Sequence, residues 1–178
     1  MNTAQYARRA FLPLLAIVLL LPGCLGVIGA GAVQDKVGKL IDYHNAMTDS
    51  CNAALDRVLK DPRLRLAGRV PGMEAPNLGN TIVEMNQSFA VFNDKVQKLD
   101  PNGLPSDVKS RFIDVQTTVA SMAEMINKAA TVDRPKYSSD ESALEWFDEW
   151  EDQTGVYEKK LEDLANASEK YGLEVEWD

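Results

Sequence analysis

The residues of this chain that are able to do chemistry are few and unevenly placed. It has one histidine, His44, and two cysteines, Cys24 and Cys51. A single histidine rules out a His-rich metal site, and any Ser/His/Asp triad would have to be built on His44. Cys51 follows His44 by two helical turns, roughly 10 Å, too far for a shared metal or a nucleophile–base pair within one helix. Free cysteine in that setting is a small apolar filler. A core histidine with Met85, Met122 or Met125 nearby is, by contrast, the ligand set of a b-type haem held by His and Met, and the residues leave that alternative open. Against it stand several Phe residues that fill the same space and the lack of a Cys-x-x-Cys-His attachment motif. A buried His44 bonded to Tyr157 or to a backbone carbonyl accounts for the same position.

The carboxylates offer little more. Glu145, Asp148, Glu149 and Asp152 recur at helical neighbour spacings, and carboxylate oxygens are ligands for a hard cation such as Ca²⁺. One helix face rarely wraps an ion, and EF-hand loop spacing is absent, so a solvated face near a helix start is the plainer reading. No Glu-x-x-His pair exists for a di-iron site. No nucleophile elbow, phosphate-binding loop or dinucleotide glycine pattern occurs. The chain therefore reads as a binding or structural protein and not as an enzyme.

The elements that must position these residues follow from hydrophobic spacing. One stripe runs Val33, Val37, Leu40, His44, Met47, Cys51, Ala54 and Val58. A second runs Leu78, Ile82, Met85, Phe89, Phe92, Val96 and Leu99. The third is Val108, Phe112, Val115, Val119, Met122, Ile126 and Ala129. The fourth is Phe147, Trp150, Thr154, Tyr157, Leu161, Leu164, Ser168 and Tyr171. Alternating steps of four and three put each stripe on one seam of an α-helix, and no sustained period of two predicts a sheet.

Punctuation agrees with the stripes. Asp61-Pro62 stops the first helix. Asp100-Pro101-Asn102-Gly103 reads as a tight turn, with Ser106 as the cap of the third helix. Ser138 with Glu141 reads as a capping box, Gly155 as a kink, and Gly172 as a helix-ending glycine. Four such helices bury their seams together as an all-α, antiparallel, up-down four-helix bundle with heptad-like core seams. Pairing of two hairpins between subunits satisfies the same pattern. Antiparallel register sets His44 near Phe92, Phe112 and Tyr157. It also puts the start of the first helix, the Asp100–Pro105 turn and the C-terminus at one end. The opposite tip then gathers Arg63, Arg65 and Arg69 with the acidic start of the fourth helix. There Trp146, read as exposed, and Trp150 are the aromatic anchors of a partner-binding surface.

The first residues say where this domain works. Arg8 and Arg9 precede an apolar run from Phe11 to Leu21, and the run ends in Leu21-Pro22-Gly23-Cys24. A charged start, an apolar middle and a small residue before the cut form an export signal. Cys directly after Leu-x-Gly resembles the lipobox of bacterial lipoproteins. The resemblance covers the leader only. It implies cleavage before Cys24, acylation of its thiol and amine, and a membrane tether outside the cytoplasm. With Leu25 and not Asp next, it further implies the periplasmic face of the outer membrane if the cell is Gram-negative. The organisation is then 1–23 signal peptide, 24–33 apolar tether and 34–178 bundle. Phe11 to Val33 holds no charge and is also long enough for an uncleaved signal anchor, although Pro13, Pro22 and the glycines make it a poor helix. Either way, Arg8 and Arg9 stay cytoplasmic and 34–178 lies across the membrane.

Charge narrows the partners. Removing Arg8 and Arg9 from the 19 basic residues leaves 17 against 27 acidic ones, a net of −10. Such a surface repels phosphate backbones and anionic lipid heads, so no nucleic acid is expected and attachment falls to the acyl groups on Cys24. The expected partner is an envelope or extracellular protein.

Overall fold

The computed structural model describes residues 15–16, 29–61, 78–136, 140–173 and 175–177. Four helices dominate: α1 (Ala30–Leu59), α2 (Leu78–Gln97), α3 (Ser106–Ala130) and α4 (Asp140–Glu169). They pack as an antiparallel bundle, with α1 on α2, α2 on α3 and α3 on α4 in closest contact. α1 and α4 complete the ring but approach each other least of these neighbours. Among the described residues, no helix is long and apolar enough to cross a membrane. The single strand pairing described is a two-residue antiparallel ribbon, β1 (Leu15–Ala16) with β2 (Glu176–Trp177). It is too short to leave an alternation in the sequence.

The stripes became the core almost residue for residue. Every named position from Val33 to Ala54 in α1, from Leu78 to Val96 in α2 and from Val108 to Ala129 in α3 is buried. Val58 and Leu99, the last of their stripes, are half-buried where the helices end. α1 begins at Ala30, ahead of the boundary expected at residue 34, because Val33 is fully buried and draws the end of the apolar tether into the helix.

Both ends show why the order is up-down. At one end, Gly29 opens α1 at φ 94°, and a Cβ there would lie 2.8 Å from Pro105 Cγ, so only glycine fits. The neighbouring turn has Gly103 at φ 86°, and its Asn102 amide donates to Asp100 Oδ1 at 2.9 Å. Lys36 Nζ donates to the Asn102 carbonyl, tying α1 to this turn. α4 returns to the same end and stops in a Schellman motif. Gly172, at φ 82°, donates to the Glu169 carbonyl (2.8 Å) and Leu173 to the Ser168 carbonyl (3.4 Å), with Leu173 buried beneath. At the other end, Arg57 of α1 meets Glu84 of α2, and Arg134 reaches Asn80 at 3.4 Å.

One local expectation changes. Pro105, not Ser106, occupies the cap position of α3. Its carbonyl accepts from the Lys109 amide at 2.7 Å while Ser106 is already helical. α4 continues through Gly155 as one helix. Ser138 lies outside the described residues, so the capping box does too.

Candidate functional site

The bundle's middle is where the polar chemistry gathers. The α1 seam carries His44 inward and the α4 seam carries Tyr157 inward. Tyr157 Oη and His44 Nδ1 share a hydrogen bond of 3.0 Å. Both are buried. Burial pulls the His44 imidazolium down to a pKa of about 4, so the ring is neutral at physiological pH. Burial, with a smaller contribution from the negative charge of Glu158, pushes the Tyr157 phenol well above its ordinary range. A neutral imidazole bonded to a neutral phenol holds two helices together and exchanges no proton near neutrality.

Aromatic rings enclose the pair. Phe92 meets His44 edge-on at 6.5 Å between centroids, and Tyr157 stands 5.4 Å from it. Phe89 continues the cluster to Trp150 at 5.3 Å. These rings occupy the space that a haem plane beside His44 needs, so the residues present do not fit that cofactor. Cys51 is also buried. Its thiol donates to Met47 Sδ at 3.6 Å, and burial pushes its pKa up to about 12. A thiol held protonated is no nucleophile.

The distal tip is redrawn. Arg63, Arg65 and Arg69 lie outside the described residues. Trp146, read above as an exposed anchor, is 3% exposed, and Trp150 is 7% exposed. Their rings stack at 5.4 Å with 20° between planes. Trp146 and Phe147 lie four and three residues before Trp150, so both spacings suit a core seam. The larger ring took the interior, where it removes more apolar surface from water, and Phe147 sits half-buried against it. With Ala143 also at 0% exposure, the start of α4 is a core wall and offers no tryptophan to a partner.

α4 instead presents charge. Glu145, Asp148, Glu149, Glu151 and Asp152 are exposed, Glu158 is half-buried, and no basic residue interrupts them. None of the six forms an ion pair among the described residues. The ion pairs there are Lys39–Asp35, Arg57–Glu84, Lys60–Asp56, Lys98–Asp94, Lys128–Asp133 and Lys170–Asp107. Val156 stands 48% exposed within this face. Desolvation raises the Glu158 carboxyl pKa. Among the described residues, no three His, Cys, Asp or Glu side chains converge as a metal site.

Two further features were not read from sequence. A surface groove of about 350 Å³ lies between α1 and α2, floored by Met47 and Phe92. Small Ala46, Ser50 and Ser88 leave the gap, and Lys95 Nζ sits 5.0 Å above the Tyr43 ring at its edge. At the end of the bundle where α1 starts, Asp107 joins α3 to the end of α4. It pairs with Lys170 at 2.7 Å and accepts from Tyr171 Oη at 3.1 Å. The Lys170 hydrogen bond, helped by Tyr171, holds its pKa below the usual carboxylate value. Cys24 lies outside the described residues, five positions before Gly29. Comparison with known proteins finds no matching family model, no matching curated protein and no matching solved structure.

Proposed function

We propose that this protein is a lipid-anchored, extracytoplasmic binding module that engages a cationic envelope or extracellular protein through the acidic face of α4. Acyl groups on Cys24 hold it to the membrane. The lipobox resemblance supports the anchor, and the bundle's polarity supports the orientation. Gly29, the Asp100–Pro105 turn and the Tyr171–Leu173 helix end share the end nearest Cys24. The start of α4 therefore points away from the membrane.

One observation carries the binding assignment: the six carboxylates from Glu145 to Glu158 without an intramolecular cation among the described residues. Like charges packed on one helix repel one another by a few tenths of a kcal/mol per neighbouring pair. A basic partner relieves that repulsion and is steered in by the field of the face. A neutralising lipoprotein that captures a basic incoming protein is one form of this role.

The test is the combined charge reversal Asp148→Lys, Glu149→Lys and Asp152→Lys, read by cross-linking from position 156 in intact cells. Capture of a basic protein is expected from the native face and its loss from the reversed one, with the melting temperature of the bundle retained. Equal capture by both removes the α4 assignment. Cys24→Ser, read by lipid labelling and detergent partitioning, tests the anchor separately. Unchanged labelling removes it.

A further inference from the structure

The groove between α1 and α2 is not absorbed by this role. Those two helices supply its whole lining, and α4 supplies none of it. Its volume of about 350 Å³ matches the small end of the range for sites that take small molecules. Met47 and Phe92 at the floor are 4% and 2% exposed, and Val91, also in the lining, is 57% exposed. A flat apolar body laid in the groove covers Val91 and caps two core side chains.

The two ends of the groove differ in chemistry. Antiparallel packing sets Tyr43 with Lys95 at one end and Ser50 with Gln87 and Ser88 at the other. Lys95 Nζ stands 5.0 Å above the Tyr43 ring, within range of a cation–π contact. Among the described residues no carboxylate pairs with it, whereas Lys39, Arg57, Lys60 and Lys98 of the same hairpin each pair with one. With 27 acidic residues against 19 basic ones, carboxylates are not scarce in this chain. At the other end, the Gln87 amide and the Ser88 hydroxyl hold no partner among the described residues. Ser50 Oγ donates to the Ala46 carbonyl at 2.9 Å and keeps its capacity to accept. Seven residues of helix separate Ser88 from Lys95, about 10 Å along the axis.

We propose that this groove binds a small aromatic carboxylate with a hydroxyl at its far end. The carboxylate meets Lys95, the ring lies over Met47 and Phe92, and the hydroxyl reaches Ser50, Gln87 and Ser88. The order of the lining sets this class. An ammonium without a carboxylate of its own takes an anion. A thioether beside a ring edge favours an aromatic face. The polar far end excludes a plain hydrocarbon tail, because covering an amide and a hydroxyl without hydrogen bonds is costly. Lys95 is exposed, so its charge fixes orientation while the covered apolar surface supplies most of the affinity.

The test is an NMR titration of the full chain in detergent, labelled with carbon-13 at its methionine methyl groups, with para-hydroxycinnamate as the probe. A saturable shift of the Met47 signal is expected, and its absence overturns the proposal. Binding should weaken about tenfold in Lys95→Gln and about tenfold for the uncharged methyl ester of the probe; an undiminished affinity in either case overturns the role of Lys95. Ala46→Leu fills the groove from an exposed position and should abolish the Met47 shift with the melting temperature retained. A shift that survives this variant places the probe elsewhere and overturns the site. Octanoate carries the same charge on a plain tail and should bind about tenfold more weakly than para-hydroxycinnamate. Equal binding of the two overturns the assigned ligand class.

Discussion

Acidification should weaken this bundle through one residue, and the size of the effect follows from where that residue sits. His44 titrates near 6.5 in an unfolded chain and is pulled down to about 4 in the fold by burial. Between those values the unfolded chain binds a proton that the folded chain refuses, so stability rises with pH. The contribution is complete above pH 6.5 and is lost as the pH falls toward 4. For one such group the loss is about 2 kcal/mol at pH 5 and about 3 kcal/mol at pH 4. Other groups move the opposite way. Protonating the crowded α4 carboxylates relieves repulsion, and the raised pKa of Glu158 adds stability as pH falls. The comparison must therefore be a difference. Urea midpoints followed by far-ultraviolet circular dichroism, for the native chain and for His44→Gln across pH 7.5 to 4.5, isolate the imidazole. The gap between the two proteins should shrink by about 2 kcal/mol on going to pH 5. Parallel profiles, or an imidazole found by NMR to titrate near 6.5, would refute the claim that His44 is held neutral in a closed core.

Two predictions concern the redrawn tip and the lone thiol. Trp146→Ala should cost about 3–5 kcal/mol of unfolding free energy, because it leaves a cavity beside Trp150 and Phe147; a change under about 0.5 kcal/mol in a denaturant titration would mean that the ring is on the surface after all. Cys51 should resist a thiol-specific colorimetric reagent in the native protein and react fully in urea, since it is buried and its pKa is raised to about 12. Rapid native labelling would contradict its place beneath Met47.

Much of the architecture was already legible in the order of residues. Stripes with steps of four and three specify helices and the face each one buries. Asp100-Pro101-Asn102-Gly103 and Gly172 specify where the chain reverses, because only glycine takes the positive φ found at Gly103 and Gly172. The register those turns impose brought His44 to Tyr157 and Phe92. Even the misread start of α4 was a choice between two adjacent aromatic residues.

Periodicity along one helix says which side is buried, but not how closely the next helix approaches, and only the tertiary structure settled that. Lateral spacing put Trp146 inside and left Phe147 at the margin. It opened the groove beside Tyr43 and left α1 and α4 the least closely approached neighbours of the ring. It also left the carboxylates of α4 without partners among the described residues. A seam is a property of one strand of sequence, and a gap between seams is a property of two. The sequence therefore determined the bundle, and the packing decided which of its surfaces are closed, grooved or charged.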